Sequence, residues 1–191
     1  MSNEPEHVRL DTRALRVLAH PLRSRLLSAL RVDGPATATD LAARLDTNTG
    51  ATSYHLRKLA EVGLVVEVGE PHGRRRTWQA AQTAHSWYHA DVAGDPDGEA
   101  AADWLRQHYL SEFASHLERW EAARRDWPVA WQDAAVVSDS LLEVSADELD
   151  ALTDELLEVI NRHRERARGG SDARRVTVYL NAMPTDPDAR P

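Results

Sequence analysis

The stretch Asn48-Thr49-Gly50-Ala51-Thr52-Ser53-Tyr54-His55-Leu56-Arg57-Lys58-Leu59-Ala60-Glu61-Val62-Gly63-Leu64-Val65-Val66-Glu67-Val68 decides the fold. Asn48 is a good N-cap, because its side-chain oxygen can accept an N–H that the first turn leaves unpaired. Thr52, Leu56, Leu59 and Val62 recur at helical spacing, so a helix is expected to about Val62, with Gly63 as its stop. Leu64 to Val68 is rich in β-branched residues and predicts a strand. Gly69 to Arg76 reads as a loop holding Arg74-Arg75-Arg76, and Thr77 to Ala80 as the returning strand.

Working upstream, Thr37 or Thr39 caps a short helix through Leu45, and Asp46-Thr47 makes the turn into the helix of Asn48. Pro21 suits the first turn of an earlier helix with Leu22, Leu26, Leu27 and Leu30 on one face, ended by Asp33-Gly34-Pro35. Before it, Asp11 can cap a helix over 11–19 that His20-Pro21 breaks. Three helices followed by a two-strand hairpin make a winged helix-turn-helix.

The helix opening at Asn48 has two unlike sides. Its inner side is apolar, while Thr49, Gly50, Ser53, Tyr54 and Arg57 fall outward. An ordinary surface helix carries long charged side chains there; this one offers small residues and hydroxyls near its N-terminus, as a helix entering a major groove requires. Arg57 can bond guanine or phosphate, with phosphate favoured, and Lys58 would lie at the backbone edge. Arg74, Arg75 and Arg76 would grip the neighbouring phosphates or enter the adjacent minor groove. Trp78 is expected to pack under the loop, and His55, bordering the apolar side, to be packed and hydrogen-bonded.

His20-Pro21-Leu22-Arg23, then Ala38-Thr39-Asp40-Leu41-Ala42, then Thr52 to Val65 together resemble the ArsR-type family of bacterial winged-helix transcription regulators. The resemblance covers about residues 10–82, and the chain looks like larger members with a helical second domain for dimerisation. It implies a homodimeric regulator of double-stranded DNA, a repressor or an activator, with repression the first expectation. Relatives commonly sense metals through cysteine thiolates on the helix before the recognition helix. That helix here reads Thr39-Asp40-Leu41-Ala42-Ala43-Arg44-Leu45, and the chain has no Cys, so sensing of that type is out of reach.

The second half reads differently. Residues 83–93 look helical, Gly94 to Gly98 breaks the chain, and a helix over about 99–125 carries Leu105, Tyr109, Phe113, Leu117 and Trp120. A strand is expected over 134–144. Ser145-x-x-Glu148 is a capping box opening a helix to about Arg168, with Leu149, Leu152, Leu156, Val159 and Ile160 apolar. Val176, Val178 and Leu180 alternate like a strand, and the tail from Pro184 is expected to be mobile. The fold class is thus mainly α with small β: a winged helix-turn-helix domain over 10–82, a mostly helical dimerisation or effector domain with a short strand pair over 83–183, and a tail over 184–191.

Composition agrees with a folded chain. Of 191 residues, 42% are hydrophobic and 28% charged. No run is long enough to cross a membrane, and the first residues are wrong for a signal peptide, so a cytoplasmic protein is expected. The net charge of −8 argues against a nucleic-acid binder until it is divided. Residues 1–85 hold 12 Arg/Lys and 9 Asp/Glu, net +3; residues 86–191 hold 11 and 22, net −11. The overall acidity leaves open a winged-helix module that binds protein instead.

No cofactor, catalytic constellation or phosphate loop is read; Ser138-Asp139-Ser140 lacks a nucleophile elbow. His85 with His89, and His108 with Glu112 and His116, could ligate a metal, but exposed histidines on amphipathic helices are the favoured reading, and no metal is expected. Trp87, Trp104, Trp120, Trp127 and Trp131 would form a dimer core, or else line a pocket for a small apolar effector.

Overall fold

The computed structural model describes residues 7–68, 76–166, 170, 172–186 and 188. It divides into two compact units, 1–112 and 113–191, and the division falls inside one helix.

The first unit is built on local caps. Asp11 opens helix α1 (Thr12–Leu18) by accepting the Ala14 N–H at 2.7 Å. Helix α2 (Pro21–Asp33) starts with proline at its first position, and His20 Nδ1 accepts the Leu22 N–H at 3.2 Å. The buried Ser24 hydroxyl donates to the Leu18 carbonyl at 2.7 Å and so ties α2 back to α1. Gly34, at φ 92°, takes a left-handed conformation that a side chain would disfavour and ends α2. Thr37, not Thr39, caps helix α3 (Ala38–Arg44), in a reciprocal box with Asp40. Asp46, at φ 52°, makes the turn, and Asn48 caps helix α4 (Thr49–Ala60) by accepting the Ala51 N–H at 2.7 Å.

Strands β3 (Val65–Val68) and β4 (Thr77–Ala80) are antiparallel, pairing Val65 with Ala80 and Val68 with Thr77. A two-residue strand, β2 (Ala36–Thr37), adds to the other edge of β4, giving the order β2-β4-β3. Leu18, Leu26, Leu41, Leu56, Leu59 and Leu64 are all at most 1% exposed and form the centre of the core. At about 1.5–3 kcal/mol for each fully buried leucine, this cluster drives the folding of the unit.

Two expectations for this unit are corrected. Residues 83–93 are not helical: Ala84–Ser86 is strand β5, parallel to strand β1 (His7–Arg9), and only His89–Asp91 forms a short 3-10 turn. The edge of β1, about 77 residues earlier in the chain, supplies backbone partners that no local pattern reveals. Helix α5 (Pro96–Ala123) begins at Pro96 rather than residue 99, since proline is preorganised for a first turn. Its Ala101, Ala102 and Leu105 enter the core of the first unit.

In the second unit, α5 ends at Ala123, helix α6 (Val129–Ala134) follows Pro128, and helix α7 (Ala146–Arg166) opens on the expected box, with Ser145 and Glu148 bonding reciprocally. The strand pair expected over 134–144 and 176–180 is absent among the described residues: Ala134 ends α6, and the rest of both stretches is irregular and exposed. Apolar residues alone do not make a strand; a hydrogen-bonding partner must be present. Residues 187 and 189–191 of the tail lie outside the described residues.

Candidate nucleic-acid interface

Helix α4 presents the two sides its sequence requires. Thr52, Leu56 and Leu59 are fully buried, and the Thr52 hydroxyl is satisfied by the Asn48 carbonyl at 3.0 Å. On the other side Thr49, Gly50, Tyr54 and Arg57 are exposed, with Ser53 and Lys58 half-buried. Gly50 keeps the first turn flat; a Cβ there would meet the Asn48 side chain at 3.3 Å.

An open groove runs beside this face. Thr49, Ser53 and Arg57 of α4 line it, together with Thr37 and Thr39 at the start of α3 and Arg76 and Trp78 at the base of the hairpin. Arg57 Nε donates to the Ser53 carbonyl at 3.1 Å, which lays the side chain along the helix. Arg76 faces Glu67 at 3.5 Å, but its side chain stays 71% exposed. A pair so exposed is held weakly enough for a stronger anion to displace it. Trp78 is 6% exposed and belongs to the core cluster; the loop it was expected to pack under lies, but for Arg76, outside the described residues.

Gly50, Tyr54 and Lys58 of α4 do not line this groove. The Lys58 ammonium pairs with Glu61 at 2.8 Å and lies 5.9 Å from the Tyr54 ring. Arg74 and Arg75 lie outside the described residues. The sequence reading missed Thr39, whose exposed side chain opens onto the groove from α3. The cue was present in the Thr37-x-x-Asp40 box, which fixes Thr37 as the cap and leaves Thr39 outside that role.

Behind the face, the ring of His55 lies 4.5 Å from that of His20 and 5.1 Å from that of Tyr54. His55 is therefore packed. Its Nδ1 finds no hydrogen-bond partner among the described residues, against expectation, because its neighbours are rings and a cation. Burial pushes the pKa of both imidazoles down, and the charge of Arg23 pushes the same way.

Three of the four histidines considered as ligands have other contacts. His85 Nε2 meets the Tyr109 hydroxyl at 2.7 Å, His108 stacks on Trp104 at 5.0 Å, and His116 Nδ1 meets the Tyr179 hydroxyl at 3.0 Å. No group of three His, Asp or Glu suited to a metal occurs among the described residues. Trp87 and Trp104 pack on the core of the first unit, while Trp120, Trp127 and Trp131 make edge-to-face contacts at 5.6 and 5.9 Å within the second. No helix among the described residues is long and apolar enough to cross a membrane.

Comparison with known proteins adds the following. A family model described as a helix-turn-helix domain matches residues 18–68. A crystal structure of a possible transcriptional regulator for arsenical resistance is 34% identical, covering 59% of this chain and 95% of that one, with a TM-score of 0.33. The solution structure of the homodimeric winged helix-turn-helix DNA-binding domain of Mb0332 from Mycobacterium bovis, a possible ArsR-family transcriptional regulator, is 24% identical. It covers 52% of this chain and 77% of that one, with a TM-score of 0.35. No curated protein matches the chain.

Proposed function

We propose that this chain is a winged helix-turn-helix transcription regulator of the ArsR type, a homodimeric repressor binding an inverted-repeat operator; the helix-turn-helix family model over residues 18–68 and the exposed face of α4 support the reading. Helix α4 is the recognition helix. Thr49, Gly50, Ser53 and Tyr54 approach base edges, Arg57 and Lys58 take phosphates, and Arg74, Arg75 and Arg76 carry the wing along the adjoining backbone. Two such helices, one from each copy, would enter major grooves about 34 Å apart on one side of the duplex. A bound dimer would block polymerase access to an overlapping promoter.

The observation that carries this reading is the shared groove, where Thr49, Ser53, Arg57 and Arg76 converge from two elements at the open face of α4. Selection of bound duplexes from a random pool tests it. The expected product is a palindromic consensus whose half-sites lie about one helical turn apart. Replacing Ser53 or Tyr54 by Ala should change the selected bases. Replacing Arg74, Arg75 and Arg76 together should weaken binding to every sequence and flatten its salt dependence. A pool that yields no consensus, with affinities unmoved by either set, would remove the assigned surface.

A further inference from the structure

Each residue of helix α4 turns the chain by about 100°, so Ser53, Tyr54 and His55 lead from one edge of the exposed face to the other. Ser53 marks the edge at the groove, where Arg57 and Arg76 stand. Tyr54, 53% exposed, lies in the middle. His55 marks the far edge, and there α4 meets the start of α2: the His55 ring lies 4.5 Å from that of His20 and 5.1 Å from that of Tyr54. Arg23 stands in the first turn of α2, three residues after His20. Its charge reaches His20, His55 and the Tyr54 phenol.

Arg23 is a half-buried cation with no acid beside it. Its Nε is enclosed without a hydrogen-bond partner, and its guanidinium makes no ion pair among the described residues. Other cations of the unit are treated differently: Arg9, Arg16 and Arg44 each pair with an aspartate, and Lys58, on the same side of α4 as Tyr54, is held by Glu61. Two imidazoles and a phenol do not neutralise a guanidinium, and arginine keeps its charge when enclosed. A partly desolvated cation without a counter-charge is costly, and an anion arriving from outside would offset that cost.

A helix seated in the major groove has a phosphate backbone along each side. In the reading above, Arg57 and Arg76 serve one side. We propose that Arg23 serves the other: its guanidinium takes a backbone phosphate across the recognition helix from Arg76, with Tyr54 over the base edges between them. The proposal rests on the DNA reading above and brings into the interface α2, an element that reading leaves out.

Gel shifts across a salt series, with a duplex selected from the random pool, test it. Arg23→Gln is expected to lower the slope of log affinity against log salt by about 1, and Arg23→Lys, which keeps the charge, to restore it. Affinity lost at an unchanged slope would make Arg23 a packing residue and overturn the proposal. Ethylation of single phosphates, read with the native chain, needs no variant to fold. Each half-site is expected to show interfering phosphates on both sides of the recognition helix; interference confined to the side of Arg76 overturns the proposal as well. In both cases the DNA reading stands. A native chain that binds no duplex removes that reading and this contact with it.

Discussion

The two units use similar residues to opposite ends. Residues 7–112 bury leucines from five helices and close a small sheet over them, whereas no described residue of 113–188 is buried. Yet both units contain well-capped amphipathic helices, and α7 carries five apolar residues at helical spacing. The contrast separates two conditions that sequence patterns tend to merge. A cap and a stripe specify a helix locally; a core needs other elements to bring their own stripes to the same place.

The largest effect that can break this contrast is a core truncation. Leu56→Ala or Leu59→Ala should cost about 2–5 kcal/mol, because each removes a side chain enclosed on all sides. Leu156→Ala in α7, where the side chain is 41% exposed, should cost well under the lower end of that range in the monomer. Urea titrations read both. Equal losses would mean that the second unit is packed far more tightly than its exposure indicates.

Function should divide in the same way. Arg57→Ala with Arg76→Ala should reduce the slope of log affinity against log salt by about 2, one for each phosphate that is no longer neutralised, as read by gel shift across a salt series. Neutralising Arg162, an exposed cation of α7, should leave that slope unchanged. A matching fall on the α7 variant would place DNA against the second unit and dissolve the division.

Caps should not divide at all. Asn48→Ala and Ser145→Ala each remove an oxygen that accepts an N–H of a first turn, one in each unit. Both should cost about 1 kcal/mol in thermal unfolding, since the bond removed is local and does not depend on what the helix packs against. A cost confined to Asn48→Ala would show that α7 gains its order from elsewhere.

That independence also explains what could be read from the sequence. The starts of α1, α2, α4 and α7 were visible, and that of α3 was narrowed to Thr37 or Thr39, because Asp11, Pro21, Asn48, Ser145 and Thr37 act within three residues of themselves. The outward face of α4 was visible for the same reason, as periodicity alone assigns it. Strand β5 was not, because Ala84-His85-Ser86 becomes a strand only when His7–Arg9 lies beside it. Residues 134–144 failed in the opposite direction: they are apolar enough for a strand and have nothing in their own chain to pair with among the described residues. The groove was half-visible. Periodicity and charge put Thr49, Ser53, Arg57 and Arg76 on one surface, while Thr39 joins them only through the packing of α3 beside α4.

The finest distinction between the units is a response to acid. His20 and His55 sit in the first unit with their rings in contact, and burial, helped by Arg23, lowers the pKa of both. The unfolded chain then binds protons more readily than the folded one. Stability from this pair is fully present above the unfolded pKa of about 6.5 and is lost as pH falls below it through the folded values. His55→Gln should remove part of that loss, since a neutral side chain takes its place behind the recognition helix. Unfolding curves measured between pH 7.5 and about pH 5 should therefore converge for the native chain and the variant as pH falls. If His55→Gln keeps the native acid response instead, the imidazole pair behind α4 is a packing feature alone.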